Sequence, residues 1–235
     1  MKEIAETDAM DEREREVPGH KYLAAKAFHE HAAEYDEWFA GSLVYGIELA
    51  ALRSLHTVMH EPKMEVGVGP GRFAGDLEVS FGLDPAWAPL LLALQRGIKC
   101  CQGVGEELPV KNGAVGAVYL LFSLCFGFDP QKIVAECSRI LKDEGHLVIG
   151  MIPAESAWGK HLAARKEAGN IFYEHAHFYT IERVKQWLAR ADMSIIEYRS
   201  TLYQHPEQVE QGEEPREALD EQAGFVVMVA RKDHV

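Results

Sequence analysis

Two carboxylates and three glycines are the residues of this chain best placed to do chemistry. Met64-Glu65-Val66-Gly67-Val68-Gly69-Pro70-Gly71-Arg72-Phe73-Ala74 ends a short apolar run in an acid and follows it at once with Gly-x-Gly-x-Gly. Nineteen residues after Glu65, Asp84 closes a second apolar run, Val79-Ser80-Phe81-Gly82-Leu83. A strand, a glycine turn, a helix and a strand tipped with an acid present backbone amides and two carboxylates to a nucleoside with a polar tail. Alternate glycines let the main chain approach a ligand closely, because no Cβ stands in the way. A dinucleotide fingerprint needs its third glycine at position 72, where this chain has Arg72. Glu65 supplies a negative charge, which suits an ammonium group better than a pyrophosphate. The pattern therefore predicts a ligand with both ammonium and ribose. A turn kept for steric reasons alone is the plain alternative.

The elements that must hold these residues follow from apolar periodicity. Residues 20–39 predict a helix, with Tyr22, Phe28, Tyr35, Trp38 and Phe39 roughly on one side, and a second apolar helix spans 45–56. From Lys63 the pattern alternates, with strands at 64–68, 79–84, 98–102, 115–122 and 146–152 and helices near 71–77, 86–96 and 130–141. Such alternation predicts a parallel sheet with helices on both faces. An amphipathic helix at 180–191 precedes two strand-like runs, 194–202 and 225–231, which have no helix between them and should pair antiparallel.

Composition narrows the function classes. At 235 residues the chain suits one large α/β domain, with a charged leader over 1–19, helices over 20–62, a ligand-binding core over 63–152 and a final segment over 153–235. The net charge of −13 argues against a nucleic-acid partner, since phosphate contacts need a basic surface. Most of that charge is peripheral: residues 1–19 carry −4 and residues 204–222 carry −6, leaving about −3 for the rest. Those two segments read as solvated tail and loop. No run approaches membrane-span length, and the N-terminal charges do not suit a signal peptide, so a cytoplasmic location without membrane contact is expected. Cys100, Cys101, Cys125 and Cys137 lack metal-ligand spacing and read as reduced thiols.

Several motifs in order carry a resemblance. Glu65, Gly67, Gly69 and Gly71 match acid-x-Gly-x-Gly-x-Gly, and Asp84 matches the acid that ends the second strand. Gly103-Val104-Gly105-Glu106-Glu107-Leu108-Pro109 is similar to Gly-Asp-Ala-Glu-x-Leu-Pro, and Glu136-Cys137-Ser138-Arg139-Ile140-Leu141-Lys142-Asp143-Glu144-Gly145-His146-Leu147 to Glu-x-x-Arg-x-Leu-Lys-Pro-Gly-Gly-x-Leu. From Glu65 to about Arg231 the chain resembles the class I S-adenosylmethionine-dependent methyltransferases, nearest the small-molecule branch similar to quinone-biosynthesis enzymes. The resemblance implies a Rossmann-like, doubly wound sheet of order 3-2-1-4-5-7-6, with one antiparallel strand and an N-terminal helical lid. It implies S-adenosylmethionine as cofactor, S-adenosylhomocysteine as product, and in-line methyl transfer to a small-molecule acceptor by a monomer or homodimer. Two departures stand out: Val104 replaces an Asp that bonds the adenine amino group, and Lys142-Asp143-Glu144-Gly145 lacks the usual Pro-Gly.

The resemblance assigns cofactor contacts to Glu65, Gly67, Gly69, Gly71, Asp84, Pro85, Val104, Gly105, Glu106 and Phe122. Gly67 and Gly69 would hold the methionine end, while Glu65 orients the turn or meets the ammonium through water. Asp84 would accept both ribose hydroxyls, its alternative being a helix cap before Pro85. Leu83, Val104 and Leu108 would enclose the adenine or serve as ordinary core, and Phe122 reads as packing before function. Tyr35 belongs to the segment that forms a lid or simply core. Asn170-Ile171-Phe172-Tyr173-Glu174-His175-Ala176-His177-Phe178-Tyr179-Thr180 gathers four aromatics and two histidines where acceptors are contacted. His175, His177 and Tyr35 are the catalytic candidates. The two histidines read as a base, an acceptor contact or surface residues, and no metal is expected for want of a third ligand. A nicotinamide-dependent oxidoreductase and a non-catalytic nucleoside-binding protein are the competing readings.

Overall fold

Alternating apolar strands and helices build one seven-stranded sheet of order β3-β2-β1-β4-β5-β7-β6. The computed structural model describes residues 23–233; the leader predicted over 1–19, residues 20–22 of the first predicted helix and residues 234–235 lie outside them. The strands are β1 (Lys63–Val66), β2 (Phe81–Asp84), β3 (Lys99–Gln102), β4 (Val115–Leu121), β5 (Leu141–Met151), β6 (Met193–Thr201) and β7 (Phe225–Lys232). Strands β1 to β5 pair parallel, and β7 runs antiparallel between β5 and β6. This is the order and hand of pairing that the sequence resemblance implies.

Side chains leave a strand alternately to its two faces, and β4 shows it. Val118 and Leu120 join one core layer with helices α6 (Pro130–Ile140) and α8 (Ile181–Arg190). Ala117, Tyr119 and Leu121 join the other layer with α3 (Leu43–Arg53), α4 (Arg72–Asp76) and α5 (Trp87–Gln95). All seven β4 residues are buried, as a strand covered on both faces requires. Burial of Leu188 and Val184 on the inner face of α8 contributes roughly 1.5–3 kcal/mol each. Among the described residues, no helix is long and apolar enough to cross a membrane.

The helices start where the sequence offers caps. Ser42, Asp129 and Thr180 each accept a hydrogen bond from the backbone amide three residues on, at the head of α3, α6 and α8. Three expectations need correction. The helix predicted over 20–39 is broken at His31 into α1 (Leu23–Glu30) and α2 (Ala32–Glu37). Strand β5 starts at Leu141 rather than 146, because buried Leu141 already pairs with Val115 while exposed 142–144 bridge an irregular register. A helix absent from the sequence reading, α7 (Ala157–Glu167), follows β5; Ser156 caps it, and it buries only Trp158, Gly159 and Leu162.

Candidate active site

The strand order reverses between β1 and β4, and a crevice opens at their carboxyl ends, where open α/β sheets bind ligands. A cavity of about 110 Å³ there is lined by Gly67, Gly69, Leu83, Asp84, Pro85, Val104, Gly105, Glu106 and Phe122, with Ser123 and Ile133 among the others. Eight of the ten sequence-assigned contact residues thus meet in one place. Glu65 and Gly71 are not among its walls, and Leu108 lies in the core layer instead.

All three motif glycines have φ between 50° and 80°, the left-handed region that favours glycine, but they serve different ends. A Cβ on Gly71 would sit 2.5 Å from Ile98 Cδ1 and 2.9 Å from Ala93 Cβ, so this glycine lets the turn pack on α5. A Cβ on Gly67 would fall 2.4 Å from Ser123 Cβ, which brings the ends of β1 and β4 together. At Gly69 the nearest atom would be Tyr35 Cε1 at 3.8 Å, leaving space along the main chain. The amides of Gly67 and Val68 both donate to the Leu83 carbonyl, at 2.7 and 3.0 Å. The Gly67 amide is therefore already committed within the fold.

Asp84 ties the crevice together. Its Oδ2 accepts from the Gly69 amide at 2.9 Å and its Oδ1 from the Ala86 amide at 2.8 Å, so one carboxylate fixes both the glycine turn and the entry to α5. The cap-like contact and the position in the cavity wall coexist. Burial pushes its pKa up to about 6 against the opposing pull of those two amides. Glu65 lies beneath the turn, 2% exposed. Burial first, then the charge of Asp84, raise its pKa well above the carboxylate range, and the Ala74 amide opposes them. Its placement fits orientation of the turn. Glu106 Oε1 accepts from the Phe128 and Asp129 amides at 2.8 and 3.1 Å, anchoring the segment that leads into α6.

Beyond the crevice lies a larger cavity of about 330 Å³, walled mainly by aromatic side chains from α1 to α3, α7 and residues 172–179. Phe28, Tyr35, Phe122 and Phe126 line both cavities and so form the partition between them. Phe122 holds φ 58°, uncommon for a bulky residue, at the end of β4. Its ring stacks on Phe225 at 4.9 Å, and its carbonyl accepts from Cys125 Sγ at 3.0 Å. Phe172, 2% exposed, packs against Phe28, Tyr35 and Trp38 at 5.5, 5.7 and 4.7 Å. The two aromatic segments singled out in the sequence thus meet across one cavity.

Helix α2 covers this region and is fastened by charge. Asp36 accepts from Arg72 Nε at 2.7 Å and Nη2 at 2.8 Å, and from Arg96 Nη2 at 2.8 Å. Arg96 also donates to the Pro70 carbonyl at 2.7 Å. Burial alone would raise the Asp36 pKa, but hydrogen bonds from Arg72 and Arg96 outweigh it and hold it below its usual value. Arg72, which breaks the dinucleotide pattern, is here the anchor between lid and glycine turn.

A family profile described as "Methyltransferase domain" matches residues 64–149. An uncharacterized protein of Mycobacterium tuberculosis is 39% identical over 218 residues, covering 91% of this chain and 76% of its own length. An uncharacterized protein of Methanocaldococcus jannaschii is 32% identical, covering 87% and 98% respectively. A crystal structure from Thermotoga maritima, described as a SAM-dependent methyltransferase and possible histamine N-methyltransferase, superposes with TM-score 0.83 at 30% identity, covering 91% of this chain and all of that one. The chain belongs to the S-adenosylmethionine-dependent methyltransferases.

Within this methyltransferase the nicotinamide reading falls, in keeping with Arg72 at the third-glycine position. The catalytic candidates are not gathered together. His175 is half-buried and His177 exposed, and neither lines either cavity. Tyr35 stands in the partition, but burial drives its pKa far above the ordinary phenol value, so it holds its proton near neutrality. Burial likewise pushes the Cys125 thiol in the wall up to about 12. The sequence reading also missed residues of the aromatic cavity. Glu48 sits in its wall, 6% exposed, and His161 and Arg165 enter from the unforeseen α7. The signal for Glu48 was present as a lone acid inside the apolar run Tyr45-Gly46-Ile47-Glu48-Leu49-Ala50-Ala51-Leu52.

Proposed function

We propose that this methyltransferase holds S-adenosylmethionine in the crevice at β1 and β4 and acts on a small, largely aromatic or apolar acceptor in the neighbouring cavity. The shared partition carries the reading: Phe28, Tyr35, Phe122 and Phe126 border both cavities, so a donor in one and an acceptor in the other can meet at their common edge with the reacting atoms in direct contact. The walls fit the cofactor's parts. Asp84 offers free lone pairs to a ribose diol, and Leu83 and Val104 offer apolar surface to a purine. The buried hydroxyl of Ser123, without a partner among the described residues, faces the region beside Gly67 and suits the polar methionine end. With Val104 at the Asp position, adenine recognition rests more on shape than on a side-chain hydrogen bond.

When bound, the cofactor supplies an activated methyl group and leaves as a neutral thioether. The chain's own contribution is alignment and a dry cavity, which can account for much of the barrier reduction. Tyr35 and Cys125 keep their protons at neutral pH, so the preferred acceptor brings its own lone pair. The Thermotoga maritima protein is described as a possible histamine N-methyltransferase, which supports an acceptor nitrogen here. The test is incubation of the protein and S-adenosylmethionine with a panel of small aromatic amines, phenols and thiols, read by mass spectrometry. A product heavier by one methylene, formed with stoichiometric S-adenosylhomocysteine, supports the reading. Cofactor binding with no product across the panel would favour the non-catalytic nucleoside-binding alternative.

A further inference from the structure

Glu48 is an acid with no evident structural duty. It lies mid-helix in α3, faces the aromatic cavity, and has no hydrogen bond or ion pair among the described residues. The helix itself is firmly held. Tyr45 and Arg53 bond Asp76 of α4, while Arg199 donates to the Ser54 carbonyl at 2.7 Å and to Ser54 Oγ at 3.0 Å at the helix's end. The chain thus fixes a carboxyl group in an apolar wall with no protein partner among the described residues, turned to a cavity where only water or a ligand can satisfy it. Tyr35, Phe39, Tyr45 and Tyr173 line the same cavity, and aromatic faces attract cations.

We propose that Glu48 is the counter-ion for a cationic amine, an anchoring group distinct from the atom that takes the methyl group, so that the acceptor of this enzyme carries an ammonium group on an aromatic or apolar body. This inference deepens the methyl-transfer reading and rests on it. Burial, with nothing opposing it, raises the Glu48 pKa to about 8. Without ligand it is therefore largely protonated at pH 7, and an arriving ammonium ion would bind the carboxylate and expel that proton to solvent. The titratable and charged groups sharing the cavity are Tyr35 on α2, Tyr45 on α3, Cys125 after β4, His161 and Arg165 on α7, and Tyr173 and Tyr179. None of them forms an ion pair with Glu48. The Arg165 guanidinium instead lies over the Trp38 and Tyr173 rings at 5.9 and 5.5 Å.

The experiment is calorimetric titration, with and without S-adenosylhomocysteine, of 2-phenylethylamine and tryptamine against their neutral twins 2-phenylethanol and tryptophol. Two buffers of different ionisation enthalpy count protons. The expected result at pH 7 is amine binding at least tenfold tighter than the neutral twin, with release approaching one proton per amine. In Glu48→Gln the preference and the proton release should both disappear while S-adenosylhomocysteine still binds. An amine no tighter than its twin in the wild type, absent proton release, or an undiminished preference in Glu48→Gln would each overturn the proposal. Should the variant fail to fold, proton release by the wild type decides alone. Absence of S-adenosylhomocysteine binding would sink the methyl-transfer reading, whereas the amine arm without it still reports on Glu48.

Discussion

At the scale of single residues, Asp84 is a brace between the glycine turn and α5 and is proposed as a ribose-binding group, and the two duties separate by experiment. Asp84→Asn keeps the size but loses the charge, so S-adenosylhomocysteine affinity should fall by roughly 1.5–3 kcal/mol, the worth of hydrogen bonds to a charged acceptor, as read by calorimetry. The wild type carries its own pH signature. Because burial raises the Asp84 pKa to about 6, the carboxylate proposed to accept the ribose is lost as pH falls through that value, and affinity should fall with it. The glycines divide in the same way. Gly71→Ala forces a Cβ to within 2.5 Å of Ile98 at φ 78° and should lower the melting temperature, by more than about 1 kcal/mol of stability. Gly69→Ala meets only Tyr35 at 3.8 Å and should affect cofactor affinity more than packing. The acids and glycines were legible in the sequence because close backbone approach constrains local spacing. Glu48 left a signal as a lone acid in an apolar helix, but what it faces stays hidden until the opposite wall of its cavity is known.

At the scale of elements, the lid is a matter of three charged groups. Asp36, Arg72 and Arg96 are 60 residues apart at most in sequence and less than a third exposed, so their pairing is shielded from solvent more than a surface ion pair. Asp36→Asn should loosen α1 and α2 by roughly 1.5–3 kcal/mol, seen as faster hydrogen exchange confined to residues 23–39. The carboxyl pKa is depressed in the fold, so docking is fully present above the ordinary carboxylate value of about 4 and is lost as pH falls through the lower folded value. A second clip explains a motif that looked like a mere family signature. Arg139 bonds Glu136 at 2.7 Å and the Leu108 and Val110 carbonyls at 3.0 and 2.8 Å, while Glu136 accepts from the Leu108 amide, steadying the loop after β3. Strands and amphipathic α8 were readable because one dominant face is apolar. Helix α7 was not: its apolar residues are few, and it is held by a serine cap and by Trp158 Nε1 donating to the Gln204 carbonyl at 2.9 Å.

At the scale of the whole molecule, the reversal of strand order between β1 and β4 decides where chemistry happens. The parallel core supplies the crevice proposed for the donor, and the flanking segments before β1 and after β5 supply most of the aromatic cavity proposed for the acceptor. The acidic segment 204–222, expected as a solvated loop, is tied back at specific points. Glu213 accepts from the Tyr203 and Gln204 amides at 2.9 Å each, Arg216 bridges to Ser200, and Pro206 reaches the aromatic cavity. A cofactor that binds only the folded chain should stabilise it by about 2.7 kcal/mol at a hundredfold excess over its Kd, a rise of several degrees in thermal unfolding. The most direct test is a crystal structure with S-adenosylhomocysteine and an aromatic amine bound together. Expected are the ribose diol on Asp84, the cofactor sulfur turned toward the edge that Phe28, Tyr35, Phe122 and Phe126 share between the cavities, and the amine in the aromatic cavity meeting it there. A nucleoside bound away from Asp84, or a sulfur facing open solvent with the aromatic cavity on its far side, would contradict it.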